Sequence, residues 1–89
     1  MKIVTFEYAP EALAALAGHG LAPRPDTEPA LVREALSDLY RYEIRRLRQR
    51  LLRGDIPKAD YSNHVIALRR QYWLLSSPVE LWTRQHPKP

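Results

Sequence analysis

Leu47–Tyr61, LRQRLLRGDIPKADY, is the stretch on which the fold turns. Leu47 and Leu51 lie one helical turn apart, and Gly54 supplies the left-handed residue on which a helix commonly ends. Gly54-Asp55-Ile56-Pro57 then leaves room only for a tight reversal before a second helix starts at about Lys58. Two helices joined by so short a connection are expected to lie antiparallel, as a helical hairpin. Upstream, the first helix should run over about 28–53, with Asp26 or Thr27 as N-cap and Glu28 and Pro29 in the opening turn. Its apolar positions Val32, Leu36, Leu39, Tyr40, Ile44, Leu47 and Leu51 fall on one arc at 100° per residue, which is the face for the core. Downstream, Tyr61, Val65, Leu68, Tyr72 and Leu75 repeat at 4, 3, 4 and 3, a two-heptad seam over about 58–75. Ile66 and Trp73, seven apart, lie on a different side of this helix, so it carries more apolar surface than one partner helix covers.

Outside 28–75 the signals are shorter. Ser77, Pro78 and Glu80 match a capping box and predict a last short helix at about 78–85 that carries Leu81 and Trp82. Pro10 and Glu11 open an Ala-rich helix at about 10–17, followed by a loop at 18–27 rich in glycine and proline. Within the arm 1–9, Val4, Phe6 and Tyr8 alternate with Thr5 and Glu7, the one strand-like pattern in the chain. A lone strand must pair with another chain, pack as an extended arm, or not be a strand. The expected fold is therefore all-α: a single small domain built on an antiparallel hairpin, with two short flanking helices and an extended or β N-terminal arm.

Length and composition narrow the class. Eighty-nine residues leave room for one thin core, and with no cysteine there is neither a disulfide nor a Cys-based zinc site to reinforce it. Hydrophobic residues at 45% and charged residues at 27% are those of a folding chain. No apolar run approaches the roughly 20 residues of a membrane span, and no signal-peptide layout opens the chain. The expected setting is cytoplasmic, with no membrane partner.

The net charge of +4 is unevenly spread. Residues 1–40 carry three basic against six acidic side chains, whereas 41–53 carry Arg41, Arg45, Arg46, Arg48, Arg50 and Arg53 against Glu43 alone. Such a segment suits phosphate neutralisation, with Tyr40 and Tyr42 beside it as candidates for base stacking. It equally suits a solvated helix whose arginines cover apolar neighbours and pair with nearby carboxylates. Asp60 and His64, four apart, are the one pair placed for metal or general-base work, with Asp55 nearby; an acid at a helix N-terminus explains them more simply. His19 and His86 add no ligand spacing, and Ser37, Ser62, Ser76 and Ser77 lack the strand-turn-helix setting of a nucleophile. No catalytic residue, cofactor or metal is expected.

Leu47 to Ile56, followed by Asp60-Tyr61 and Leu68-Arg69, resembles the SHOCT family of short C-terminal domains, whose hairpins read roughly Leu-x-x-x-Gly-Glu-Ile, a cap, an acid, an aromatic and later leucines. The resemblance covers about residues 47–69; Pro57-Lys58 departs from it, as does the length of chain on either side. It implies attachment and oligomerisation rather than catalysis. Together the readings favour a non-enzymatic interaction or regulatory module that self-associates, as a dimer or with another protein, through Phe6, Ile66, Trp73, Leu81 and Trp82. The alternatives are a nucleic-acid binder using Arg41 to Arg53, and a small enzyme with its site at an assembled interface.

Overall fold

A computed structural model describes residues 4–84. The chain is mostly helical, with one short two-stranded sheet. In order it forms β1 (Glu7–Tyr8), α1 (Pro10–Ala17), α2 (Pro29–Leu52), α3 (Lys58–Gln71), 3-10 turns at Trp73–Ser76 and Val79–Leu81, and β2 (Thr83–Arg84).

Helix α2 follows its apolar arc closely. Val32, Leu36 and Leu47 are buried, and Leu39, Tyr40, Ile44 and Leu51 are half-buried. Its C-terminus is a complete Schellman motif. Gly54 has φ 81°, its N–H donates to Leu51 (3.1 Å), and the Asp55 N–H reaches back to Arg50 (2.9 Å). Its N-terminus differs from expectation. Neither Asp26 nor Thr27 caps it; Glu28 holds the N-cap position without a side-chain bond, and Pro29 follows at N1. Thr27 is instead spent on the preceding turn, where its Oγ1 accepts from the Arg24 N–H (3.0 Å) and its carbonyl accepts the Tyr8 hydroxyl (2.7 Å).

The second half of the chain departs further. Helix α3 stops at Gln71 rather than 75, because Tyr72 turns out of helical geometry (φ −105°, ψ 35°) and Trp73–Ser76 tightens into a 3-10 turn. The reward is burial: Tyr72 and Leu74 both enter the core. Arg33 of α2 meets the carbonyls this leaves over, its guanidinium donating to Leu75 O (3.0 Å) and Ser77 O (3.1 Å).

The expected capping box makes no cap bond, and the helix over 78–85 is replaced by the Val79–Leu81 turn and then by β2; residue 85 lies outside the described residues. Strand β2 is the partner that the N-terminal strand needed. Glu7 opposes Arg84 and Tyr8 opposes Thr83 in antiparallel register, and the Ala9 N–H adds a bond to Trp82 O (2.9 Å). The N-terminal strand is thus completed within the chain, across more than seventy residues.

One core joins Tyr8, Ala12, Leu16, Val32, Leu36, Tyr72, Leu74 and Trp82, with Phe6, Leu39, Tyr40, Leu68 and Leu75 packed at its margin. All of its α2 members come from that helix's first half. At 1.5 Å per residue the 24-residue α2 is about 36 Å long, so its second half runs on past this core together with most of α3. There, within 41–67, only Leu47 and Ile56 are buried.

Candidate functional site

Two surfaces stand out, both running from the margin of the core onto the part of the molecule beyond it. The first is the outer face of α3. None of its fourteen residues is buried: Tyr61, Val65 and Leu68 are half-buried, and the rest are exposed. Ile66 retains 46% of its surface and Trp73, just past the helix end, 45%. Of the residues assigned to an interface from sequence, these two and Leu81 are open to a partner. Phe6 and Trp82 are not. Phe6 is half-buried against the core. Trp82 is only 1% exposed, with its Nε1 donating to Leu74 O (3.3 Å), and is a central core residue rather than a contact residue. The same two-stranded pairing that accommodates the N-terminal strand draws Trp82 inward.

The second is the basic half of α2. Arg41, Arg45 and Arg48 surround a shallow depression of about 230 Å³ floored by Tyr40 and Ile44, with no carboxylate in its lining. Tyr40 also borders a neighbouring depression of about 280 Å³ with Arg69, Tyr72, Leu75 and Ser76, so the basic stripe continues onto α3. Arg41 bonds Asp38 (3.2 Å), but neither Arg45 nor Arg48 has an ion pair among the described residues. Arg46 and Arg50 face away from this depression into a separate groove of about 240 Å³ with Glu43, Leu47, His64 and Leu68. Arg46 also stacks over Tyr42 (5.9 Å), and Arg53 pairs with Asp55 (3.5 Å). The six arginines therefore serve three directions, and only three of them share a site. The tyrosines beside them are engaged too, Tyr40 packing edge-on against Tyr72 (5.2 Å between ring centres).

A third cluster was not visible in the sequence. His19 stacks on Tyr72 (4.0 Å between ring centres), and its Nε2–H donates to Gln71 O (2.8 Å), which ties the loop after α1 to the C-terminus of α3. Burial pushes the Tyr72 hydroxyl well above the usual phenol range, and the neighbouring Glu43 carboxylate pushes it further by favouring the protonated form. The stacked rings and the hydrogen bond make this cluster a fastening between the loop and the helix end. Its only advance signal was a histidine set between two glycines, of which Gly20 takes φ 78°.

Asp60 and His64 are both exposed, and His64 shares the 240 Å³ groove with Arg46, Arg50 and Glu43. Among the described residues no three His, Cys, Asp or Glu side chains are grouped to hold a metal ion, and no helix is long and apolar enough to cross a membrane. Comparison with family models, with curated proteins and with solved structures found no match for this chain.

Proposed function

We propose that this protein is a non-enzymatic interaction module that associates with a second copy of itself through the outer face of α3. The observation that carries the reading is a fourteen-residue helix with no buried residue, which carries Ile66 and is followed by Trp73, two large apolar side chains each about half exposed. An isolated helix of this length is marginal in water, and its stability comes from packing. Its pairing with α2 is read as the antiparallel hairpin. Grooves lined by Tyr40 with Arg69, and by Leu47 and Arg50 with His64, support that order of neighbours. That pairing leaves Ile66 facing outward, while Trp73, in the turn that follows, is half exposed at the rim of a depression with Ala14, Ala15, Gly18 and His19.

The magnitudes set the strength. The exposed 45% of Trp73 is about 110 Å², worth about 3 kcal/mol at ~25 cal/mol per Å² when covered. Covering the exposed 46% of Ile66, about 80 Å², adds about 2 kcal/mol at the same coefficient. A two-fold interface counts each twice, giving about 10 kcal/mol, of the same order as the ~4–15 kcal/mol that association costs. The dimer is accordingly weak and concentration-dependent. Sedimentation velocity over a concentration series tests this: the average mass should climb with concentration for the native chain and stay flat for Ile66→Glu. Equal behaviour of the two chains would remove the basis of the proposal.

A further inference from the structure

The self-association surface leaves the basic face of α2 unexplained, and that face has its own chemistry. Residues 41–71 hold nine arginines and lysines against Glu43, Asp55 and Asp60, a local charge of +6, while the remainder of the chain carries −2. Within this region Arg41, Arg45 and Arg48 converge on one depression, two of them without an ion pair among the described residues, and Arg69 extends the stripe across Tyr40. From this placement we infer that the Arg41–Arg45–Arg48 face binds the phosphate backbone of duplex nucleic acid, without reading its sequence.

Four features select that occupant. Arg41, Arg45 and Arg48 are spread over seven residues of helix, about 10 Å along its axis, which suits successive phosphates of a backbone better than one isolated anion. A planar fork of donors suits phosphate oxygens better than a point charge does, and every cation on this face is arginine. Single-stranded binding would need a free aromatic face for bases, but Tyr40 is half-buried and set edge-on against Tyr72, while Tyr42 carries Arg46. An anionic membrane surface is disfavoured because a surface-bound helix buries a broad apolar face beneath its cations. Here the apolar residues bordering the arginines, Tyr40 and Ile44, are half-buried in the fold.

Contact is made through charge, so its salt dependence is the readout. Three neutralised phosphates on B-form DNA give a log–log slope of about −2.7, which is about 40-fold weaker binding at 200 mM than at 50 mM salt. The experiment is a fluorescence anisotropy titration of a random-sequence 20-base-pair duplex at several salt concentrations, with the native chain, Arg45→Gln/Arg48→Gln, and Arg24→Gln as a control outside the face. Circular dichroism checks that each variant is folded. Arg45 and Arg48 are exposed, so the double variant should fold while its slope falls by about 1.8, and Arg24→Gln should leave the slope in place. Ile66→Glu should also retain the slope, which separates this inference from self-association. No binding at 50 mM salt, a double variant with the native slope, tighter binding to the single strand than to the duplex, or binding to phosphatidylserine vesicles in place of DNA would each overturn it.

Discussion

Replacing Arg33 by alanine removes a single side chain that joins α2 to the Trp73–Ser76 turn. Its guanidinium donates to two carbonyls, Leu75 O at 3.0 Å and Ser77 O at 3.1 Å, in a part-buried position. Hydrogen bonds to a charged group are worth about 1.5–3 kcal/mol each, and the lower figure applies because water can reach the vacated carbonyls. The expected loss is about 2–4 kcal/mol, against a total stability of roughly 4–13 kcal/mol for a chain of this size. Arg33→Lys keeps the charge but has no planar fork, so it should recover only about half of the loss. Urea unfolding followed by tryptophan fluorescence reads this directly, because Trp82 is buried beside the clamped segment. With a slope near 1 kcal/mol per molar urea, typical of a small domain, the midpoint should fall by about 2 M or more. A change under about 0.5 kcal/mol in Arg33→Ala, or equal behaviour of the alanine and lysine variants, would refute the clamp.

Other consequences follow from the same structure. Trp82→Ala should cost about 3–5 kcal/mol in unfolding free energy or prevent folding, whereas Trp73→Ala, at a side chain only about half covered, should cost roughly half as much. Gly54→Ala places a Cβ in open space at φ 81°, so the roughly 1 kcal/mol lost in denaturant titration would report backbone strain alone. The Tyr8 and Tyr72 phenols are raised above 10.0 in the fold, so the protonated forms favour the native state. Their contribution is complete below pH 10 and is lost as the pH rises through the folded values, so unfolding midpoints should drop in alkali, less steeply in Tyr72→Phe.

What the sequence disclosed and what it hid divide along the range of the interactions. The α2 arc, the Gly54 stop and α1 depend on residues within a turn or two of each other, and each stands where local periodicity placed it. The pairing of Glu7–Tyr8 with Thr83–Arg84 joins opposite ends of the chain, and two residues per strand leave almost no pattern to read. That pairing also replaced the helix that Ser77 and Glu80 signalled and bears on which tryptophan is core: at helical spacing Trp73 and Trp82 look alike, but only Trp82 adjoins β2, with its carbonyl accepting the Ala9 N–H. Arg33 was hidden for a related reason, since the carbonyls it serves exist only because α3 ends early. In the basic segment composition showed the charge, while the three-dimensional placement separated Arg41, Arg45 and Arg48 from the arginines engaged elsewhere.

Self-association through α3 would be read from the mass of the protein in solution. Sedimentation equilibrium at protein concentrations up to about 1 mM detects association as weak as about 4 kcal/mol. The native chain should rise from 10.4 kDa toward twice that value, and Trp73→Ala should remain at 10.4 kDa throughout. A native chain that holds 10.4 kDa across the whole range, or a Trp73→Ala chain that associates equally well, would rule out self-association through this face.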